Sequence, residues 1–217
     1  MSRLRSRILS QFGHPSGALG AFAGAVMAHR SSNQRRNAWT VQLLDIHPDD
    51  RVLEIGYGPG LAIHRAAELA SHGRVLGIDH SQVMQRQARR RNRHAVASGQ
   101  VQLLRGGVAD LAGRAAEFHK VLAVNVFGFW PDPVAVLRQV AAVLLPGARI
   151  ALTIQPRGHG VTNEHTRQAG ERLGAALHDA GFTDIQVHTL ALEPVDAACA
   201  VGVWPSLPSR QIRASRL

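Results

Sequence analysis

The chain has 217 residues, of which 45% are hydrophobic and 18% charged, and its formal net charge is +10. This composition favours one globular domain with a substantial core over a disordered chain. The single cysteine, Cys199, excludes an internal disulfide, a cysteine-built zinc site and chemistry that needs paired thiols. No segment has signal-peptide character or the length of a membrane span, so we expect a cytoplasmic protein.

The basic charge is almost entirely arginine, because Lys120 is the only lysine. A strongly basic chain is typical of nucleic-acid binding when its charge is concentrated on one surface. The densest cluster, "ARRRNRH" at residues 88–94, falls on a predicted helix. A solvated helix face is the simpler interpretation, and attraction of an anionic substrate or RNA is the alternative.

The first predicted elements are a helix, a strand, a glycine-rich loop and a second helix. Apolar residues recur at helical intervals before the stop at Pro48, namely Trp39, Leu43, Leu44 and Ile46. "RVLEIG" is short, apolar and rich in strand formers, as a buried parallel strand is. "LAIHRAAELAS" then has one broad apolar face and is closed by Gly73.

The alternation of strands and helices continues to the end of the chain. In order, we predict a strand at 74–79, a helix at 81–96, strands at 101–106 and 119–127, a helix at 132–145, a strand at 148–155, a helix at 166–181 and strands at 184–192 and 196–204. The last two strands most simply form an antiparallel pair. The pattern therefore predicts an α/β fold with a doubly wound, mostly parallel seven-stranded sheet, an antiparallel last strand and helices on both faces.

Three glycines follow the first strand at every second position: Gly56, Gly58 and Gly60. A loop there presents bare backbone N–H groups at a helix N-terminus, where an anionic or adenosine-containing ligand can approach closely. The dinucleotide fingerprint G-x-G-x-x-G fits in neither register, because Leu61 and Ile63 occupy its last position. A phosphate-binding P-loop is excluded because no Gly-Lys-Ser/Thr follows.

Two carboxylates narrow the choice of ligand. Glu54 lies near the end of the first strand, where an apolar side chain is otherwise expected, and a carboxylate there suits a positively charged ligand. Asp79 ends the second strand, where a carboxylate can accept hydrogen bonds from both ribose hydroxyls. Together they indicate a nucleoside with a cationic substituent.

From Trp39 to Trp204 the chain resembles the class I S-adenosylmethionine-dependent methyltransferases, of the small-molecule type called methyltransferase type 11. That family has an acidic residue followed by x-Gly-x-Gly-x-Gly, which here reads Glu54 to Gly60. The resemblance implies a Rossmann-like fold, S-adenosylmethionine as cofactor, a helical lid at 1–38, a core domain at 39–204 and a flexible tail at 205–217. It implies these cofactor-binding residues: Glu54, Gly56, Tyr57, Gly58, Gly60, Asp79, His80, Gly107, Val108 and Asn125. The chain departs from the family at Gly107, which has no carboxylate for the adenine amino group.

The class of methyl acceptor is inferred by excluding acceptors whose characteristic residues are absent from the sequence. Asn125 is followed by Val126 and Phe127, which does not fit amino-methylation of nucleobases, and Cys199 lies on the wrong strand for cytosine C5 chemistry. No paired glutamates lie between residues 120 and 131 to hold an arginine substrate. A small apolar or aromatic organic acceptor survives, and by resemblance Phe127, Phe129 and Trp130 face it.

Several alternatives stay open at this level. The three aromatic residues can instead pack under the following helix. A cofactor-binding protein without transferase activity and an RNA methyltransferase are the competing functions. We identify no catalytic residue and no metal site in the pattern, and the oligomeric state is not encoded in any motif.

Overall fold

The computed structural model describes residues 31–206. Residues 1–30 of the expected lid at 1–38 and residues 207–217 of the expected tail at 205–217 therefore lie outside the described residues. The helices are α1 Ser31–Leu43, α2 Leu61–Leu69, α3 Gln82–Arg91, α4 Arg93–Ala97, α5 Pro133–Ala141 and α6 Asn163–Asp179. The strands are β1 Arg51–Ile55, β2 Arg74–Asp79, β3 Val101–Arg105, β4 Phe118–Val124, β5 Leu144–Ile154, β6 Thr183–Leu190 and β7 Ala197–Val203. Short 3-10 turns lie at Val108–Leu111 and Phe127–Phe129.

The strands form one seven-stranded sheet in the order β3-β2-β1-β4-β5-β7-β6. Strands β1 to β5 pair in parallel, and β7 is antiparallel to both β5 and β6. The predicted fold class and the antiparallel final pair are confirmed. The strand order reverses between β1 and β4, and in such sheets ligands bind in the crevice outside the carboxyl ends of the strands at that point.

Alternate side chains of β1 serve two different cores. Leu53 and Ile55 pack with α5 and α6 on one face of the sheet, whereas Val52 packs with α1, α2 and α3 on the other. Because side chains alternate along a strand, Glu54 lies on the face of Val52. The carboxylate singled out in the sequence is thus on the side of the sheet that α1 covers.

Several element boundaries differ from the predictions, and three of them have a visible cause. The helix expected at 81–96 is broken at Asn92, whose side-chain amide donates to the Gly60 carbonyl at 3.1 Å and to the Ala88 carbonyl at 2.9 Å. The helix expected to reach residue 145 ends at Ala141, because Leu144 already pairs with Phe118 of β4.

Strand β4 also ends earlier than predicted, at Val124 rather than at residue 127. The reason is Asn125, which adopts a left-handed backbone conformation with φ 58° and so cannot continue the strand. The turn that follows carries the aromatic residues of "FGFW" away from the sheet.

The first described helix, α1, begins at Ser31 and runs without interruption past residue 39. Its inward face is unusual because most of its buried residues are polar: Asn33, Arg36, Asn37 and Thr40, together with Val41. The division between lid and core at residue 39 stays a prediction, although residues 31–38 belong to the same helix as the start of the predicted core.

Candidate functional site

A cavity of about 810 Å³ opens at the carboxyl ends of β1, β2, β4 and β5. Most of the predicted site residues line it: Glu54, Gly56, Tyr57, Gly58, Asp79, His80, Gly107, Val108, Asn125, Phe129 and Trp130. Gly60 and Phe127 are not among its lining residues. The cavity lies at the crevice that the strand order selects, so the sequence motifs and the topology indicate the same site.

Glu54 is the most deeply buried charged group of the cavity, with only 1% of its surface exposed. Burial, reinforced by the nearby charge of Asp79, raises the pKa of its carboxyl well above the ordinary value, and a hydrogen bond from the backbone of Ile63 opposes the rise. Its Oε2 has no hydrogen-bond partner among residues 31–206. A buried carboxylate oxygen of this kind is stabilised by a ligand that brings a donor or a positive charge.

Asp79 is held in a fixed orientation at the end of β2. Its Oδ2 accepts from the Gly58 N–H and its Oδ1 accepts from the Ser81 N–H, both at 2.8 Å. A carboxylate oxygen can accept more than one hydrogen bond, so both oxygens keep capacity for ligand hydroxyls. Asp79 thus joins the glycine loop to β2 and presents a pre-positioned acceptor to the cavity.

The glycines of the loop have different roles. A Cβ on Gly56 would lie 2.2 Å from Val126 Cγ1, so the exit of β4 can pass the loop only if that position is bare. A Cβ on Gly58 would meet nothing within 4 Å, since its open side is the cavity. A Cβ on Gly60 would lie 2.7 Å from Asn92 Nδ2 and 2.9 Å from Ala88 Cβ, so Gly60 lets α3 approach the loop.

Tyr57 and His80 both line the cavity but differ in burial. Tyr57 is 2% exposed and donates from its hydroxyl to the Leu104 carbonyl at 3.1 Å, and burial raises its pKa. The buried ring is therefore held in one position, and it supports the glycine loop of which Tyr57 is part. His80 presents a half-exposed imidazole whose Nδ1 lies 3.9 Å from Asp79 Oδ1.

At the predicted adenine edge of the site, position 107 is a glycine and supplies no carboxylate. Gly107 and Val108 line the cavity, and the nearby carboxylate of Asp110 does not. Asp110 Oδ2 instead accepts from the Gly107 N–H at 2.8 Å and closes the 3-10 turn. Asp110 is therefore a turn-stabilising residue and does not replace the carboxylate that position 107 lacks.

The aromatic residues after β4 separate into two groups. Phe129 is 58% exposed and lines the cavity together with Trp130. Phe127 packs against the hydrophobic core, with its ring centroid 5.7 Å from that of Trp130. Phe129 and Trp130 thus line the cavity, where a ligand can contact them, whereas Phe127 contacts Trp130 and both of these rings pack against the core.

A second polar group in the cavity was not predicted from the sequence. Asn33, Arg36, Asn37 and Gln155 all line the cavity, and all are less than 9% exposed. The sequence carries a signal for this group, because the polar residues Asn33, Arg36, Asn37 and Thr40 follow the i, i+3, i+4, i+7 spacing of one helix face. That spacing is normally sought among apolar residues, so a polar stripe of this kind does not by itself predict a buried helix face.

The chemistry of the lining fits S-adenosylmethionine. A buried carboxyl group with one oxygen that has no partner among residues 31–206 suits the cationic end of the ligand, a fixed aspartate suits ribose hydroxyls, and bare backbone at Gly58 permits close approach of the ligand. The seven-stranded sheet with its antiparallel β7 carries this site at the switch point. Fold and site together define a class I S-adenosylmethionine-dependent methyltransferase.

Comparison with known proteins agrees with this class. Residues 52–147 match the Methyltransferase domain family. The uncharacterized methyltransferase YdaC of Bacillus subtilis is 32% identical over 184 residues, which cover 85% of this chain and 98% of YdaC. The chain therefore belongs to the methyltransferase domain family, and it is an enzyme that uses S-adenosylmethionine.

Two further similarities are more limited. The 2-phytyl-1,4-naphtoquinone methyltransferase of Synechococcus elongatus is 36% identical over 106 residues, which cover 48% of this chain and 46% of that protein. The solved structure of a SAM dependent methyltransferase from Aquifex aeolicus has a TM-score of 0.65 and 16% identity, and the match covers 83% of this chain and 97% of that one. The latter similarity concerns the fold alone.

Residues 31–206 contain neither a metal-binding cluster of side chains nor a membrane-spanning helix. In that range no group of three or more histidine, cysteine, aspartate or glutamate side chains is arranged to hold a metal ion. None of the helices in the same range is long and apolar enough to cross a membrane.

Proposed function

We propose that this methyltransferase acts on a small organic acceptor with a flat apolar or aromatic face. The observation that carries the proposal is Phe129, a large aromatic side chain that is 58% exposed beside Trp130 at the cavity. Exposed aromatic surface in a concave site is typical of ligand contact, because its burial by a ligand is favourable. Val126 and Val136 extend this apolar side of the cavity.

The names of the relatives support a quinone-like ring as the first acceptor to test. The Synechococcus relative is named for a naphtoquinone, although this chain spans about half of its length. Such rings are flat and apolar and carry oxygen or carbon atoms that can take a methyl group. Their chemistry matches the wall formed by Phe129 and Trp130.

The residues of the chain contribute mainly by binding and orientation. S-adenosylmethionine, when bound, supplies an activated methyl group on a sulfonium. Glu54 and Asp79 hold its polar parts, and the apolar wall aligns the acceptor and excludes water. Alignment and desolvation carry much of the rate of such a displacement, so a strong protein base is not required.

The test measures methyl transfer to a panel of hydroxylated naphthalenes, quinols and non-aromatic alcohols of equal size. We expect turnover with the flat aromatic members, and a rise in KM of roughly tenfold or more in Phe129→Ala and Trp130→Ala with little change in the affinity for S-adenosylhomocysteine. Leu69→Ala is the matched control, because Leu69 is 45% exposed and does not line the cavity. Turnover only with non-aromatic acceptors, or equal kinetics in all three variants, would refute the proposal.

An RNA acceptor is the second candidate, and one observation favours it. Arg89, Arg90 and Arg93 are exposed at the junction of α3 and α4. If RNA is the acceptor, its binding weakens steeply with salt, and reversal of these charges abolishes it. Unchanged methylation after the charge reversal assigns the arginines to a solvated surface.

A further inference from the structure

The buried polar face of α1 contains a charged residue with no counter-charge in the part of the chain that the structure describes. Arg36 is 2% exposed and lines the cavity. Its Nη1 donates to Gln155 Oε1 at 2.5 Å, its Nη2 donates to Asn33 Oδ1, and its Nε has no partner. Within residues 31–206 its partners are thus neutral amides, and no acidic side chain forms an ion pair with it.

The surroundings hold Arg36 in place. Gln155 Nε2 donates to the carbonyls of Glu193 at 3.2 Å and Val195 at 2.8 Å, so its amide oxygen is directed toward Arg36. Because both amides are fixed acceptors for the guanidinium, its position is set before any ligand arrives.

A buried cation with neutral partners is unfavourable, and a second cation increases the effect. Burial and the nearby charge of Arg157 lower the pKa of Arg36 to about 9. The group is therefore still charged at neutral pH, in a place where desolvation works against the charge. An anion bound in the cavity removes this penalty, since a carboxylate accepts bidentate hydrogen bonds from a guanidinium.

Arg36 and Glu54 lie on the same face of the sheet and line the same cavity. Glu54 belongs to β1, Gln155 follows β5, and β4 alone separates these strands. Neighbouring strands are about 4.8 Å apart, so the two groups approach the cavity from strand ends that are roughly 10 Å apart. Among residues 31–206, one carboxyl oxygen of Glu54 and one guanidinium nitrogen of Arg36 have no hydrogen-bond partner, and both groups line the same cavity.

We propose that Arg36, held by Asn33 and Gln155, is a carboxylate-binding subsite of the cavity. The best-matched ligand is the amino-acid end of the cofactor, whose ammonium suits Glu54 and whose carboxylate suits Arg36. An acceptor that carries a carboxylate is the other source of the same chemistry. The inference rests on the cofactor of the family and does not depend on which acceptor is used.

The first experiment is calorimetric titration of the full chain, without acceptor, with S-adenosylhomocysteine and with its decarboxylated analogue. We expect Arg36→Met to weaken S-adenosylhomocysteine roughly 10- to 100-fold and to leave the decarboxylated analogue nearly unchanged, because one charge-assisted interaction is lost. Arg35→Met is the matched control, because Arg35 is the neighbouring arginine on α1, is exposed and donates only to the Ala191 carbonyl at 3.3 Å.

A second variant tests the same subsite without removing the arginine. Asn33→Asp places a carboxylate where an amide oxygen already accepts from Arg36, so the guanidinium gains an internal counter-charge. We expect this variant to fold, to be thermally no less stable than the parent without ligand, and to bind S-adenosylhomocysteine more weakly because the internal carboxylate competes. Thermal unfolding of the unliganded chains reports folding independently of binding.

The outcomes separate the possibilities. Loss of affinity for S-adenosylhomocysteine alone assigns Arg36 to the cofactor carboxylate. Unchanged cofactor affinity with a raised KM for carboxylate-bearing acceptors, but not for neutral ones, assigns it to the acceptor. If folded Arg36→Met and Asn33→Asp leave both quantities unchanged, the subsite does not exist. None of these results depends on Phe129, so the proposed aromatic acceptor can fail separately.

Discussion

The glycine loop provides the sharpest test of the site, because Gly58 and Gly60 are equivalent in the sequence pattern and different in the structure. Both have positive φ, 50° at Gly58 and 77° at Gly60, so an alanine is strained at either position. A methyl group at Gly58 projects into open space, whereas one at Gly60 meets α3. We expect Gly58→Ala to impair binding and Gly60→Ala to impair folding.

The magnitudes follow from these contacts. An L-residue in the left-handed region costs about 1–2 kcal/mol, and this is the whole expected loss of stability for Gly58→Ala. At Gly60 the new Cβ lies 2.9 Å from Ala88 Cβ and 3.0 Å from Ala88 Cα. Because one of these atoms belongs to the backbone of α3, the contact is relieved only if the helix shifts. Overpacking of this kind adds about 1–3 kcal/mol, for a total of about 2–5 kcal/mol.

Two measurements on each variant distinguish the roles. Urea unfolding of the unliganded chain gives the free energy of unfolding. In a thermal unfolding experiment at this chain length, a loss of about 3 kcal/mol corresponds to a fall of roughly 6–12 °C in Tm. Titration with S-adenosylhomocysteine, performed well below the Tm, gives affinity. We expect Gly58→Ala to lose affinity roughly tenfold or more, because its methyl group occupies the approach to the backbone, and Gly60→Ala to keep most of it.

Ala88→Gly in the Gly60→Ala background is the internal control. This second change removes the methyl group that the new Cβ meets. The stability regained by relieving that contact should exceed the usual cost of a glycine in a helix, so the double variant should be more stable than Gly60→Ala alone. The reasoning is wrong if Gly60→Ala unfolds like the parent chain but binds as weakly as Gly58→Ala.

Three further predictions concern buried groups. Glu54→Gln should make the unliganded chain more stable at neutral pH and should weaken the binding of S-adenosylhomocysteine. Because folding raises the pKa of Glu54, the contribution of this group to the free energy of unfolding is full below the unfolded pKa of 4.5 and is lost as pH rises through the folded pKa. The advantage of the variant in urea unfolding should therefore grow as pH rises above 4.5. Asn125→Gly should be less destabilising than Asn125→Ala by about 1 kcal/mol, because both lose the 2.8 Å bond from the Gln155 N–H and only alanine is strained at φ 58°. Cys199, with its pKa raised to about 12 by burial, should not react with a thiol reagent at pH 8 until the chain unfolds.

The sheet was predictable because its information is local. Each strand up to β5 is a short apolar run beside a turn or a helix stop, and the sequence order of such units leaves few parallel arrangements. The boundaries at Asn92 and Asn125 were not predictable in this way. At Asn92 the helix ends where the side-chain amide donates to the carbonyl of Gly60, which is 32 residues away in the sequence. At Asn125 the side-chain oxygen accepts from the Gln155 N–H, which follows the neighbouring strand.

The same distinction explains which site residues the sequence indicates. Glu54 and Asp79 are recognisable because a carboxylate at the end of an apolar strand conflicts with local expectation. The different environments of Phe127 and Phe129 cannot be recognised in the sequence. The two residues are only two positions apart in one 3-10 turn, yet the ring of Phe127 packs on the core and that of Phe129 lines the cavity. Only the path of the chain after Asn125 decides between them.

Arg36 shows how a conflict with local expectation can be missed. On its own the segment "NQRRN" looks like a solvated helix start, and Arg35 and Arg36 look alike. Their difference arises because α1 packs its polar stripe against β4, β5 and β7, which makes Arg36 almost fully buried and leaves Arg35 exposed. A buried cation beside neutral acceptors keeps an uncompensated desolvation cost, and an opposite charge supplied by a ligand offsets it. The burial of Arg36, more than its residue type, is therefore the evidence for a ligand with a negative group, and an otherwise apolar acceptor wall makes the cofactor the simplest source of that group.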